Sequence, residues 1–138
     1  MFSTIRFMRQ VGVALVVMGV AYKIIPAHAD AEFPFGMEMT LEAAPQPGSK
    51  RLPNLEIGGN GEVVLELWCK GGKGQFSVAG NTVIFVAGVV ENRACTPVQI
   101  QADDNLVAAL SEATTWKRQD DLISFIGTKT LRFRLNSN

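Results

Sequence analysis

The stretch QFSVAGNTVIFV, residues 75–86, decides what kind of fold this chain can adopt. Its first half places Phe76 and Val78 on one face, in the alternation typical of a strand with one buried side. The pair Gly80-Asn81 is a two-residue turn signal, because both residues tolerate the backbone conformation of a tight hairpin. The second half, TVIFV, is apolar on both faces, which predicts a central strand. The segment is therefore read as an antiparallel hairpin.

Strand and turn signals continue on both sides of the hairpin. Further strands are predicted at residues 36–42, 62–68, 114–119, 122–126 and around 131–135. Glycine-rich turns are predicted at residues 58–61 and 70–74, and exposed loops at 43–53 and 91–96. At least six short antiparallel strands predict a mainly β, β-rich α+β domain, built as a curled sheet or partly open barrel.

One helix is predicted between the hairpin and the last strands. The segment Thr96-Pro97-Val98-Gln99 fits a capping box, with threonine as N-cap and proline at the first helical position. An apolar stripe at helical spacing follows, formed by Val98, Ala102, Leu106, Ala109, Leu110 and Ala113. We expect this helix to pack against one side of the curled sheet.

The N-terminal residues 1–29 have the three zones of a secretory signal peptide. Arg6 and Arg9 precede an apolar run of twelve residues, 11–22, and Ala27-His28-Ala29 then matches a signal peptidase site. Cleavage is expected between Ala29 and Asp30, or as a second choice between Ala31 and Glu32.

The alternative to cleavage is a membrane anchor. A spanning helix needs about 20 apolar residues, and Lys23 ends this run well before that length. No cysteine lies near the cut, so no lipid attachment is predicted. We therefore expect a periplasmic or secreted protein with no membrane span after cleavage.

Removal of the signal changes the chemistry that remains. Three of the thirteen basic residues leave with it, so ten basic and thirteen acidic residues give the mature chain a formal charge of −3. Such a mildly acidic surface gives no electrostatic basis for binding nucleic acid or anionic lipid. The single histidine, His28, is also lost, which excludes histidine-dependent nucleophilic mechanisms and histidine metal sites. We predict no enzyme activity, metal or cofactor.

Both cysteines, Cys69 and Cys95, remain in the mature chain. Two cysteines in an oxidising compartment most simply form a disulfide. The alternative, a reactive thiol, lacks a C-x-x-C motif or an adjacent histidine.

Charged and aromatic side chains on the strands supply candidate binding residues. Trp68 is predicted on the outward face of its strand with Glu66, which would make it an exposed aromatic contact. Lys129, Arg132 and Arg134 form a basic stripe that is either a solvated strand face or a contact for an acidic partner or lipid phosphates.

Other suggestive residues have structural interpretations. The glycines of residues 71–74 lack the spacing of a phosphate-binding loop and are read as a hairpin turn. Asp103 and Asp104 are adjacent on the helix and so point in different directions, while Asp120-Asp121 is a turn. Neither pair forms a facing carboxylate dyad.

The ordered set of features from Leu52 to Leu135 resembles the META domain, found in bacterial envelope proteins linked to heat shock and antibiotic tolerance. The residues that carry the resemblance are Cys69, Gly71, Gly74 and Phe76, the hairpin 78–85, Ala94-Cys95, Leu106, Leu110, Trp116, Leu122 and Leu131-Arg132-Phe133. The resemblance implies a small β-rich fold without established catalysis. Residues 30–51 would be an N-terminal strand and proline-rich loop, and residues 52–138 the META-like domain.

The expected function is that of a monomeric, non-catalytic envelope accessory or stress-related protein that binds an unknown envelope protein or ligand. One alternative is a periplasmic inhibitor of a protease or lysozyme, which would present residues 31–35 or the loop 43–53 as an exposed segment. Another is a carrier of a small molecule or lipid in a cavity inside the barrel.

Overall fold

The computed structural model describes residues 32–47, 49 and 51–137, together with positions 12, 14, 16 and 19. The predicted signal peptide therefore falls outside the described residues, apart from those four positions. The elements are β1 (Glu38–Leu41), β2 (Asn54–Ile57), β3 (Glu62–Glu66), β4 (Gly71–Ala79), β5 (Thr82–Val90), α1 (Pro97–Glu112), β6 (Thr115–Gln119), β7 (Leu122–Ile126) and β8 (Thr130–Leu135). The described residues contain no helix with the length and apolar character of a membrane span.

The strands form one antiparallel sheet that curls into a ring. Each strand pairs with the next in sequence, and β1 also pairs with β8. The ring is uneven, because β5 and β6 share the single residue pair Thr82–Thr115. The prediction of a mainly β fold, curled or partly open with one helix, is confirmed.

Two predictions around the central hairpin are wrong. Residues 70–74 are not a turn, because Gly71 to Gly74 begin the long strand β4. An added Cβ at Gly74 would lie 2.5 Å from the Phe85 ring, so glycine here admits that ring into the interior. The strand β5 is not buried on both faces, since Ile84 and Val86 are 57% and 60% exposed. A curled sheet gives its strands an outer face, and within the described part of the chain no second layer covers Ile84 and Val86.

Side chains fill the interior of the ring. The inward positions of the strands are almost fully buried at Met39, Leu55, Ile57, Val63, Leu65, Val83, Ile123, Phe125 and Phe133. Phe76 stacks on Phe125 with ring centroids 5.3 Å apart. Because this volume is occupied, a cargo would have to bind outside the barrel interior.

The segment before β1 closes one end of the ring. Phe33 is 7% exposed and packs edge-on against Trp116, with ring centroids 5.2 Å apart. The carbonyl oxygen of Glu32 accepts a hydrogen bond from Arg118 at 2.9 Å. The expectation of an exposed segment at residues 31–35 is thus wrong for Phe33 and Pro34, which are buried.

The helix α1 begins with the predicted capping box. The Thr96 hydroxyl accepts from the Gln99 backbone N–H at 3.3 Å, and the Gln99 side chain accepts from the Thr96 N–H at 3.0 Å. The helix buries Asp103, Leu106, Ala109 and Leu110. Val98, predicted to lie in the buried stripe, is instead 65% exposed, because the first turn borders a groove rather than the core.

Candidate functional site

Trp68 lies beneath the helix and is 7% exposed, so the prediction of an outward-facing Trp68 is wrong. Strand alternation requires a continuing strand, but β3 ends at Glu66 and the chain bends at Trp68 and Cys69. Leu67 and Trp68 are consequently both buried, although they are neighbours in sequence. Trp68 is therefore not the exposed aromatic side chain on an outer strand face that the sequence predicted.

The edge of Trp68 does reach the surface, in a groove between α1 and the rim of the ring. This helix groove has a volume of about 610 Å³. Its floor is apolar, with contributions from Leu41, Trp68, Ala102, Leu106, Ala109 and Leu131. Its polar border consists of Gln46, Gln101, Asn105 and Lys129. Two of the predicted binding residues, Trp68 and Lys129, which lie far apart in sequence, thus line the same groove.

The disulfide fixes the N-terminal end of the groove. Cys69, next to Trp68, is bonded to Cys95 with the Cα atoms 6.1 Å apart, so the predicted disulfide is confirmed. Cys95 immediately precedes the helix N-cap, Thr96. The first turn of α1 is therefore covalently tied to the Trp68 bend.

The aspartate Asp103 makes a second link between the same segments. Its side chain is 2% exposed, and it accepts hydrogen bonds from the backbone N–H groups of Cys69 at 3.2 Å and Lys70 at 2.9 Å. Two amide donors compensate part of the cost of burying this carboxylate. Asp103 is thus a structural group, and its neighbour Asp104 is exposed.

The opposite end of the groove lies at the C-terminus of the helix. A Cβ added at Gly127 would lie 2.5 Å from the Glu112 carbonyl oxygen, so the β7–β8 turn touches the last turn of α1. Lys129 lies in that turn, two residues further on. The groove therefore runs from Trp68 at one end of the helix to Lys129 at the other.

Glu66 lies outside the groove, in a cluster of ion pairs. Its carboxylate is 3.2 Å from Arg51 and 3.4 Å from Arg93. Hydrogen bonds to Glu91 and Glu66 raise the pKa of the Arg93 guanidinium above its ordinary value. Both arginines also donate to the carbonyl oxygen of Cys69. Glu66 thus pairs with the two arginines that bind the backbone of the bend at Trp68 and Cys69.

The predicted basic stripe is divided among three environments. Arg134 pairs with Glu42 and Asp121, and the hydrogen bond to Glu42 is the main cause that raises the pKa of Arg134. Arg132 is exposed on β8, opposite Ser124. Lys129 alone borders the groove. Within the described part of the chain, no carboxylate lies within 4 Å of the Lys129 or Arg132 side-chain nitrogens.

The chemistry of the groove is set by its apolar floor and polar border. Among the described residues that line the groove, Lys129 is the one charged group, and the others are apolar or neutral. The described residues contain no cluster of three or more histidine, cysteine, aspartate or glutamate side chains suited to a metal ion. This arrangement can recognise an apolar body and a negative charge near one end.

Sequence reasoning missed the contribution of the helix and of β8 to this site. Gln101 and Asn105 lie four residues apart and hydrogen-bond to each other at 2.9 Å, which places them on one face of α1. They flank the apolar stripe at Ala102 and Leu106. The position of these two polar residues beside the apolar stripe could have indicated a site on this face of α1. The sequence alone does not indicate which other segments of the chain lie opposite that face.

Comparison with known proteins supports the fold and identifies the family. A solved structure titled "NMR structure of the protein" superposes with a TM-score of 0.55 at 14% identity, covering 72% of this chain and 89% of that chain. This likeness shows the fold alone. A search of curated proteins finds no match. The family model described as META domain matches residues 37–137, so the chain belongs to the META domain family.

Proposed function

We propose that this chain is an exported, non-catalytic binding domain of the bacterial envelope and that the helix groove is its binding site. The observation that carries the proposal is the groove itself: a concave apolar floor beside Trp68, held by a disulfide and by Asp103. Ligand sites are typically concave, largely apolar and already formed before the ligand binds. A rigid wall lowers the entropic cost of binding.

Export is supported by two independent features. The first 29 residues have the charge, apolar run and small-residue site of a signal peptide. The Cys69–Cys95 disulfide is typical of oxidising compartments and fits a periplasmic or secreted protein. An accessory role in the envelope, including in stress, is compatible with both.

A non-catalytic role is supported by the composition of the groove. General acid–base catalysis needs a titratable group within hydrogen-bond reach of the reacting atom, and nucleophilic catalysis needs an activated nucleophile. The lining presents amides, apolar groups and one lysine, while Cys69 and Cys95 are bonded to each other. These groups suit retention of a ligand better than its conversion.

The structure bears on the two alternative functions, an inhibitor of a protease or lysozyme and a carrier of a small molecule or lipid. An inhibitor would need an exposed segment, and of the two predicted ones, the segment at Phe33 is buried while residues 43–45 remain exposed. A carrier would need space for its cargo. The packed ring interior does not provide that space, but the helix groove does.

The fluorescent probe 8-anilinonaphthalene-1-sulfonate, whose emission rises in apolar sites, tests the proposal. We expect wild-type protein to enhance its emission, and we expect Ala102→Phe to abolish the enhancement by filling the groove. Ala108→Phe is the matched control, because Ala108 is on an exposed face of the same helix. Undiminished probe binding by a folded Ala102→Phe variant would show that the groove is not the binding site.

A further inference from the structure

We infer that the helix groove takes a free amphiphile with one alkyl chain and an anionic head, such as a long-chain carboxylate. The head would lie at Lys129, and the chain would run along α1 toward Trp68. This inference rests on the proposed function and names the chemical class of the ligand.

The dimensions and lining of the groove fit a single chain. Helix residues from Pro97 to Ala109 border it. With 1.5 Å of rise per residue, this stretch is about 18 Å long. The volume of about 610 Å³ is in the range of sites for one small ligand. An elongated apolar floor of this size favours an extended alkyl chain over a compact polar molecule.

The distribution of charge sets the direction of the ligand. Lys129 is exposed at the C-terminal end of α1, and none of the described residues that line the groove is acidic. At the other end, Trp68 presents an apolar surface. A ligand with an anionic head at one end and an apolar tail at the other complements both ends at once, whereas a cationic head would meet Lys129 unfavourably.

The polar border does not provide a competing site for the head. Gln101 donates to Asn105 at 2.9 Å, so these two amides partly satisfy each other. A charged group forms stronger hydrogen bonds with an ionised donor than with a neutral amide. Lys129 is therefore the group that would distinguish a charged head from an uncharged one.

An alkyl chain fits the groove better than an extended peptide. A peptide that binds in extended form needs backbone partners, usually at the edge of a sheet. The long wall of this groove is α1, whose backbone groups are occupied by its own hydrogen bonds beyond the first and last turns. Beyond its first turn, the wall offers side-chain surface only, which is all that a hydrocarbon chain requires.

The test compares decanoate with its uncharged counterpart decanol at pH 8, below the concentrations at which either aggregates. The readout is tryptophan emission in a Trp116→Phe background, which leaves Trp68 as the single tryptophan. We expect decanoate to shift the emission and to bind about fivefold more tightly than decanol, the size typical of a partly exposed ion pair. Lys129→Gln should remove this preference without changing the affinity for decanol.

Two further variants control for indirect effects. Lys129→Arg should restore the preference for decanoate, and Lys117→Gln, which removes an exposed lysine outside the groove, should leave it unchanged. A repeat with Trp116 in place and a fluorescent competitor keeps the test valid if Trp116→Phe does not fold.

Three outcomes overturn the inference, and they separate it from the proposed function. Equal affinity for decanoate and decanol would show that the groove does not recognise an anionic head, while the groove would remain a binding site. Binding of anilinonaphthalene sulfonate in the groove without binding of decanoate would show that the groove does not take an alkyl chain, and the groove would again remain a binding site. Decanoate binding that Ala102→Phe leaves intact would overturn both the inference and the proposed site.

Discussion

The carboxylate of Asp103 accepts a hydrogen bond from the backbone N–H of Cys69 at 3.2 Å, across 34 residues of sequence. Cys69 is at the same time bonded to Cys95, just before the helix that contains Asp103. One covalent and one hydrogen-bonded link thus join the end of β3 to the first two turns of α1. The wall and the floor of the groove are held in one arrangement by these links.

The first prediction concerns Asp103 itself. Asp103→Asn replaces one acceptor oxygen by an amide donor facing the Cys69 and Lys70 N–H groups, so a buried hydrogen bond is lost. We expect the free energy of unfolding, measured with urea, to fall by about 1–3 kcal/mol. Asp104→Asn, on the exposed side of the same turn, should change it by less than about 0.5 kcal/mol. Equal effects of the two substitutions would contradict the structural role of Asp103.

The second prediction concerns the disulfide. Because the bond closes a segment of 26 residues, the double variant Cys69→Ala/Cys95→Ala should lose about 2–5 kcal/mol of stability in urea. Wild-type protein should titrate with no free thiol after unfolding in the absence of reductant. Detection of two thiols per chain would show that the bond is not formed.

The third prediction concerns the segment that closes the ring. Phe33→Ala removes a buried ring from a cluster with Phe76, Trp116 and Phe125, which should cost about 3 kcal/mol. Phe35→Ala is a matched control, since Phe35 is 41% exposed and should cost about 1 kcal/mol or less. If the thermal midpoint is unaffected by Phe33→Ala, the segment does not belong to the core.

The fourth prediction concerns export. Expression of the full chain in a bacterial host should yield a periplasmic or secreted protein whose N-terminus is Asp30, or Glu32 at the second site. Intact-mass measurement and N-terminal sequencing of that fraction check this outcome. A full-length species in the membrane fraction would contradict the signal peptide assignment.

The features that the sequence predicted correctly depend on local chemistry. The Gly80-Asn81 turn and the Thr96–Gln99 capping box each involve a few neighbouring residues whose preferences act in the same direction. The disulfide followed from there being two cysteines in the sequence, so its pairing needed no knowledge of the fold. The family resemblance likewise depended on the order of such local features.

The features that the sequence predicted wrongly depend on distant contacts. Trp68 turns inward because β3 ends two residues earlier, which alternation along the strand could not reveal. Gly74 reads as a turn residue in isolation, but its lack of a side chain makes room for Phe85 of the neighbouring strand. The strand β2 was not predicted at all. It has only four residues, and it forms because β1 and β3 pair with it on either side. The groove combines residues of β1, the bend after β3, α1 and β8, and so no single segment could predict it.

The most direct test of the central claim is a backbone amide chemical-shift map of the protein titrated with decanoate. The amide shifts that change should lie along the groove, at Trp68, Ala102, Leu106 and Lys129. The outer face of β5 is the rival apolar surface, since Ile84 and Val86 are 57% and 60% exposed. Changes confined to those two strand residues would contradict the assignment of the helix groove as the binding site, and no changes at all would contradict the inference that the groove takes a long-chain carboxylate.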